Sequence, residues 1–215
     1  MLKLCLIVLA LTLASAKMGV NIGTSSVSRS YADCFKKANY TKVTQELVNA
    51  RGTFNSGFLT NYINSLDAGI EMVDAIVRVN DSFVPESFCN DIVKNLPPGF
   101  DGTVWFHVKN DKSIWTKPVD DRVNYLVTLT GACTQRGLDV GVYSDAAGWA
   151  AIMGFQSAGN FKLRTLPVWY FNDNTLQNYN DFYYAGFGNW GKPNMKEYAG
   201  SSYLCGTYFD GYDFY

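Results

Sequence analysis

The only histidine of the chain, His107, stands two residues before Lys109 in the segment 103–110 (TVWFHVKN), which has the apolar character of a buried strand. Successive strand residues face opposite sides, so both basic side chains point the same way. Burying two basic groups in a core costs free energy unless they stay hydrated or have partners, so such a pair indicates a functional site. The alternative is that the strand leaves the core at His107 and both side chains are simply solvated.

The beginning of the chain has the layout of a secretory signal peptide over residues 1–16. Lys3 supplies the positive start, residues 4–13 form an apolar run, and Ala14-Ser15-Ala16 is a small-residue cleavage site. The apolar run is too short to span a bilayer as a helix. We therefore expect a secreted, extracellular protein without a membrane anchor, whose residues 17–215 form a single domain.

Cleavage would leave four cysteines, at Cys34, Cys89, Cys133 and Cys205. An even number in an oxidising compartment predicts two disulfides, and the sequence alone leaves three pairings open. The cysteines lack the close CxxC spacing of structural zinc sites, so we expect no metal. We expect no cofactor either.

Other features of the composition restrict the partners. The chain has 18 Lys and Arg against 19 Asp and Glu without a basic stripe, which argues against nucleic acid. Its 14 Tyr, 14 Phe and 5 Trp suit stacking on sugar rings, although filling a core accounts equally well for most of them. Asn39 and Asn80 each begin an acceptor sequence for N-linked sugar.

Strand-like and helix-like segments alternate along most of the chain. Predicted strands are 18–22, 71–79, 103–110 and 138–143; predicted helices are 30–38 after a Ser30 cap, 54–67, one opened by Pro85, 119–136 and 146–153. Residues 40–48 fit neither period clearly. After Thr165 the pieces 166–171, 183–187, 195–199 and 207–210 are strand-like with no helix between them. This order predicts an α/β fold, an irregular TIM-like barrel of about five βα units followed by bare strands.

Four stretches together resemble the glycoside hydrolase family 25 lysozymes, in particular the secreted lysozymes of nematodes and other invertebrates. They are 19–22 (GVNI), 104–109 (VWFHVK), 138–154 (LDVGVYSDAAGWAAIMG) and a tail from 166 (LPVWY) through 187–193 (FGNWGKP) to Cys205-Gly206 and Phe209-Asp210. Residues 40–55 depart most, being too polar for the family's second strand. The resemblance implies a barrel of five strand-helix units with three further strands, and cleavage of the β-1,4 bond after N-acetylmuramic acid in peptidoglycan.

The resemblance also implies four acids: an Asp in the first strand, an Asp-x-Glu pair in the fourth, and an Asp near the chain end. At these positions the sequence has Asn21, His107, Lys109 and Asp210, so three of the four carboxylates are replaced. Asn21 cannot ionise, the Lys109 charge repels an oxocarbenium ion, and His107 lacks a carboxylate partner. No catalytic residue is therefore assigned, and we expect the protein not to be an enzyme.

Placed on such a barrel, the cysteines have spatial neighbours. Cys34 on the first helix would meet Cys205 in the closing segment. Cys89 and Cys133 would meet on the helices that flank the fourth strand. These are the two pairings that we predict.

The favoured function is a secreted, monomeric, catalytically inactive lysozyme-like protein that binds peptidoglycan-type glycan in innate defence. The residues expected to contact the sugar are Tyr143, Trp169, Tyr170 and Asp210. One alternative is an active glycosidase, a peptidoglycan muramidase, that uses other acids such as Asp74, Asp101 or Asp111. The other alternative is a protein-interaction module on a barrel scaffold, because a fold does not by itself define a function.

Overall fold

The computed structural model describes residues 17–154 and 161–215, so the proposed signal peptide lies outside the described residues. Eight strands form a closed barrel in chain order. They are Met18–Asn21 (β1), Tyr40–Val48 (β2), Met72–Arg78 (β3), Thr103–His107 (β4), Asp139–Ser144 (β5), Val168–Phe171 (β6), Met195–Leu204 (β7) and Thr207–Phe214 (β8). The helices are Arg29–Lys37 (α1), Phe58–Asp67 (α2), Pro85–Asn95 (α3), Val119–Gln135 (α4), Ala146–Met153 (α5), Phe161–Arg164 (α6) and Phe182–Ala185 (α7).

The strand pairing confirms the predicted α/β barrel. Strands β1 to β7 pair with their neighbours in parallel, and β8 closes the barrel by pairing antiparallel with both β7 and β1. The ambiguous segment 40–48 is strand β2, buried over most of its length on both faces. A parallel strand between two neighbours inside a ring of helices is covered on both sides, which hides the alternation expected of a half-exposed strand.

Two local predictions were wrong. The piece 183–187 is not a strand, because residues 182–185 form the short helix α7 between β6 and β7. The cap of α1 is Ser28 and not Ser30, since the Ser28 hydroxyl accepts the hydrogen bond from the Tyr31 backbone N–H. A serine two residues earlier caps the free N–H groups of the first turn, and sequence spacing does not separate the two candidates.

Apolar side chains form two layers, a large one between sheet and helices and a small one inside the barrel. The buried members of the inner layer are Ile76, Trp105, Tyr143, Trp169 and Met195. The inside of the barrel also holds a buried ion pair, in which Lys42 Nζ lies 2.9 Å from Asp74 Oδ2. Trp105 Nε1 donates to the same carboxylate oxygen at 2.7 Å.

Strand β7 is fixed from the outside by Lys196, whose side chain is fully buried. Its ammonium donates to Asn174 Oδ1 and Leu176 O, each at 2.9 Å, and to Asp181 Oδ2 at 3.0 Å. A buried ammonium without these oxygen partners would be strongly unfavourable. Because neighbours on a strand face opposite ways, Lys196 outside places Glu197 inside the barrel.

Both predicted disulfides are present. Cys34–Cys205 joins α1 to the turn between β7 and β8, and Cys89–Cys133 joins α3 to α4. The first spans 171 positions of sequence and holds the closing hairpin against the first helix.

Replacing Cys34 and Cys205 together by serine should lower the free energy of unfolding by about 2 to 5 kcal/mol, because the unfolded chain regains the freedom that the crosslink removes. Urea titration monitored by tryptophan fluorescence measures this loss. The matched comparison is the double replacement of Cys89 and Cys133, which releases a loop of only 44 positions. An unchanged midpoint for the first variant would show that the closing hairpin is held by its strands alone.

Candidate active-site cleft

A cleft of about 250 Å³ opens at the C-terminal ends of the parallel strands, the end that carries function in barrels of this kind. Its lining comprises Asn21, Gly23, Glu46, Ile76, Arg78, His107, Lys109, Tyr143, Glu197, Ser201 and Asp210. The four positions taken from the resemblance therefore lie in one cleft, together with Tyr143. Sequence reasoning missed Glu46, Arg78 and Glu197.

His107 ends strand β4, and Lys109 follows as an exposed residue. The backbone thus does leave the core at His107, as the alternative interpretation held, yet both side chains line the cleft. Burial, reinforced by the positive charges of Arg78 and Lys109, lowers the pKa of His107 to about 3. The imidazole is therefore neutral near pH 7 and has no extra proton to give to a leaving group.

Glu197 is the most deeply placed carboxyl of the cleft and is only 4% exposed. Its Oε2 accepts hydrogen bonds from Asn21 Nδ2 at 3.0 Å and from the Tyr143 hydroxyl at 2.9 Å. Burial raises the pKa of Glu197 to about 7, the two hydrogen bonds lower it, and the charge of Asp210 adds to the rise. The result is a carboxyl that exchanges its proton near neutral pH.

Asp210 projects into the cleft from β8 and is held against the turn that follows β1. A Cβ added to Gly23 would lie 2.0 Å from Asp210 Oδ2, and Gly23 has a φ of +52°. Only glycine meets both conditions at this turn. Burial raises the pKa of Asp210, whereas Arg78 and Lys109 lower it.

A third carboxyl, Glu46, is already paired. The Arg78 Nε–H donates to Glu46 Oε2 in a close ion pair that joins the ends of β2 and β3. Glu46 is therefore a structural acceptor for the guanidinium rather than a free acid.

A feature of the sequence could have identified the three missed residues. Each stands two positions after a residue that faces the barrel interior, and it therefore faces the same way. Glu46 follows Thr44 in β2, and Arg78 follows Ile76 in β3. Glu197 stands two places after Met195. Period-two spacing near the end of a parallel strand places the later residue above the earlier one, at the mouth of the barrel.

None of the alternative acids lines the cleft. Asp74 is bound by Lys42 and Trp105 inside the barrel. Asp101 precedes β4, at the opposite end of the strands. Asp111 accepts hydrogen bonds from the backbone N–H and hydroxyl of Ser113 at the surface.

Burial contradicts two of the expected sugar contacts. Trp169 is fully buried and stacks on Tyr143 inside the barrel, with ring centroids 3.8 Å apart. Tyr170 is 1% exposed, and its hydroxyl donates to Asp181 outside the barrel. Trp169 therefore fills the inside of the barrel, and Tyr170 fills space between the barrel and its surrounding helices. Tyr143 and Asp210 are the expected contacts that do line the cleft.

The two glycosylation sequences differ in exposure. Asn39 is exposed after α1. Asn80 is half-buried, and its Nδ2, the atom that would carry the sugar, donates to Ala50 O at 2.9 Å. Within residues 17–154 and 161–215, no group of three or more His, Cys, Asp or Glu side chains could hold a metal ion. No helix in the same two ranges is long and apolar enough to cross a membrane.

Solved structures with the same fold are muramidases and related wall enzymes. The muramidase from Trichobolus zukalii superposes with a TM-score of 0.71 at 13% identity, covering 92% of each chain. The modular autolysin LytC from Streptococcus pneumoniae, in complex with a synthetic peptidoglycan ligand, gives a TM-score of 0.68 at 15% identity over 94% of this chain and 47% of that one. The fold is thus that of the family 25 lysozymes.

Sequence comparison places the chain more narrowly. The probable GH family 25 lysozyme 5 of Dictyostelium discoideum is 26% identical over 211 residues, covering 94% of this chain and 92% of that protein. Lysozyme-like protein 7 of Caenorhabditis elegans is 26% identical over 191 residues, covering 82% and 65%. A family model described as Lysozyme-like protein 1 matches residues 12–198. The chain belongs to this lysozyme-like family, as its sequence predicted.

The raised pKa of Glu197 predicts a pH-dependent stability. The folded state holds this proton more tightly than the unfolded state, so the stabilisation is complete below the unfolded pKa near 4.5 and is lost as the pH rises through about 7. The free energy of unfolding of Glu197→Gln, relative to that of wild type, should therefore rise by about 3 kcal/mol as the pH increases from about 5 to about 8.

Urea unfolding at several pH values measures this difference. The control is Asp139→Asn, which removes an exposed carboxylate at the start of β5 and should shift stability equally at all these pH values. If the free energy of unfolding changes with pH in the same way for Glu197→Gln and wild type, the pKa of Glu197 is not raised by folding.

Proposed function

We propose that this protein binds peptidoglycan-type glycan in the cleft at the C-terminal end of the barrel, without the hydrolytic activity of active family members. The observation that carries the proposal is the content of the cleft. Asn21, His107 and Lys109 occupy the positions for which the resemblance implies three acids, while the Asp210 carboxylate remains available to hydroxyl and amide groups of a sugar.

Hydrolysis of a glycoside needs an acid that protonates the leaving oxygen and a negative charge that stabilises the oxocarbenium ion. On the β4 side of the cleft Lys109 stands in place of the acid, and as a cation it is a feeble proton donor that also repels an oxocarbenium ion. The other carboxylate of the pair is replaced by His107, a neutral imidazole with a pKa of about 3. Loss of a general acid costs about a hundred- to ten-thousand-fold in rate, and a charge of the wrong sign adds to that loss.

Secretion and a role in innate defence complete the proposal. The signal-like residues 1–16 and the two disulfides support an extracellular location, because disulfides persist in oxidising compartments. A secreted protein that binds wall glycan without cleaving it would serve to recognise bacteria. LytC, a structural neighbour, is known with a peptidoglycan ligand, which supports this class of partner. We propose that the protein acts as a monomer.

One observation favours the alternative of an active glycosidase. Glu197 carries a proton near neutral pH and lies in the same cleft as Asp210, so the two carboxyls could act as acid and stabilising charge. Against this, Glu197 projects from β7 rather than β4, and its Oε2 is already engaged by Asn21 and Tyr143. The alternative predicts that Glu197→Gln, unlike His107→Ala, removes the activity.

Purified protein should sediment with insoluble peptidoglycan yet leave the turbidity of a wall suspension unchanged. Asp210→Ala should reduce the bound fraction by about tenfold, because it removes a charged acceptor for sugar hydroxyls. Asp139→Ala, outside the cleft, is the matched control. Lysis that Glu197→Gln abolishes would establish the glycosidase alternative, and lysis that His107→Ala abolishes would make His107 catalytic. If the protein neither sediments with peptidoglycan nor lyses the wall suspension, the result would favour a protein-interaction module.

Restoring the acids should restore part of the activity, but the geometry requires a fourth change. Asn21→Asp would bring a second carboxylate to the position from which Asn21 Nδ2 now donates to Glu197 at 3.0 Å. Two carboxylates at that distance cannot both ionise. We therefore expect the combination of Asn21→Asp, His107→Asp and Lys109→Glu with Glu197→Gln to clear a wall suspension better than the triple change alone.

Only partial rescue is expected, since misplacement by about 1 Å can cost about a hundredfold in rate. Circular dichroism of each variant checks that it is folded. A quadruple variant that is folded but causes no lysis would show that other positions also account for the lack of activity.

A further inference from the structure

Apart from the Glu46 carboxylate, which is paired with Arg78, the charged side chains of the cleft are divided between its two sides. Arg78 and Lys109 come from the ends of β3 and β4, whereas Glu197 and Asp210 come from β7 and β8. Asn21, an uncharged residue, lies between the acidic side and the rest of the barrel mouth. A ligand in this cleft therefore meets a cationic wall on one side and an acidic wall on the other.

The ammonium of Lys109 has no carboxylate partner in the part of the chain that the structure describes. Residues 17–154 and 161–215 hold no carboxylate oxygen within 4.0 Å of its Nζ. Its main chain is nevertheless fixed, because the Lys109 carbonyl accepts hydrogen bonds from Trp115 Nε1 at 3.2 Å and from the Asp111 backbone N–H at 2.8 Å. The backbone of Lys109 is thus held in place, and its ammonium group lines the cleft.

Arg78 comes from the strand next to that of Lys109, because Arg78 on β3 and His107 on β4 are register partners and Lys109 follows His107 by two positions. The Arg78 Nε is bound to Glu46, which fixes the plane of the guanidinium. Its two terminal nitrogens make no hydrogen bond to any described residue, and 32% of the side chain is exposed. A planar guanidinium with free terminal N–H groups is suited to a carboxylate.

We propose that Lys109 and Arg78 form an anion subsite that receives a free carboxylate carried by the glycan. The inference rests on the proposed function and names the ligand class for the same cleft. The neutral His107 lies between the two cations and can share in the contact. On the opposite wall, Asp210 accepts from hydroxyl or amide groups of the same ligand, so the divided charges fix its orientation.

Two sources could carry the carboxylate. One is the lactyl group of an N-acetylmuramic acid whose peptide has been removed, since a stem peptide converts this carboxylate into an amide. The other is a uronic acid within an acidic polysaccharide. Both present the same planar anion on a pyranose ring, and binding measurements with defined oligosaccharides separate them.

The test is calorimetric titration of the full-length mature protein with four oligosaccharides of equal length. These are a peptide-free N-acetylmuramic acid oligomer, its peptide-amidated form, a glucuronate-containing oligomer and a neutral N-acetylglucosamine oligomer. We expect at least one free-carboxylate ligand to bind about 10- to 100-fold more tightly than the neutral one at low salt. The preference should shrink as ionic strength rises.

Lys109→Met should remove most of this preference, measured as the ratio of the affinities for the acidic and the neutral oligomer, and Lys109→Arg should retain it. The matched control is Lys112→Met, an exposed lysine in the same loop that does not line the cleft. Equal affinity of wild type for acidic and neutral oligomers would overturn the anion subsite and leave glycan binding intact. No binding of any oligosaccharide would overturn both proposals.

Discussion

The antiparallel strand β8 is the element on which the site depends, because it closes the barrel against β7 on one side and β1 on the other. Gly211 pairs with Asn21 of β1 and with Gly200 of β7. A Cβ added to Gly211 would lie 2.4 Å from Glu197 Oε1, so the absence of a side chain there gives the glutamate its space. Without β8, Asn21 on β1 and Glu197 on β7 would lie at the two opposite edges of an open sheet.

Closure also sets the protonation of the cleft. The barrel interior keeps Glu197 and its register partner Asp213 out of solvent, and burial raises the pKa of both. Burial acts in the opposite direction on His107, whose charged form is the acid form. Near neutral pH the imidazole is therefore uncharged, while Glu197 can still carry a proton. The group that can give up a proton thus sits on β7 and not on β4, the strand for which the resemblance implies the acid pair.

Sequence reasoning found the barrel because alternating βα units leave a strong pattern, and it paired the cysteines correctly once they were placed on that barrel. It failed where a residue's role depends on which face of a fully covered strand it occupies. Trp169 and Tyr170 looked like sugar platforms, although one fills the barrel and the other packs beneath α7. The polarity of β2 looked like a departure from the family, although Lys42, Thr44 and Glu46 are interior residues that bind charged partners on β3 and β8.

The side chain of Asn21 matches the groups on both of its sides. Asn21 uses both ends of its amide: Oδ1 accepts from the Gly23 backbone N–H at 3.0 Å, and Nδ2 donates to Glu197 at 3.0 Å. An aspartate at position 21 could keep the first bond but would repel the Glu197 carboxylate. A buried acceptor without a donor costs about 1 to 3 kcal/mol. Asn21 supplies such a donor to a carboxyl that the barrel buries, so Asn21 and Glu197 form one arrangement that supports a folded cleft.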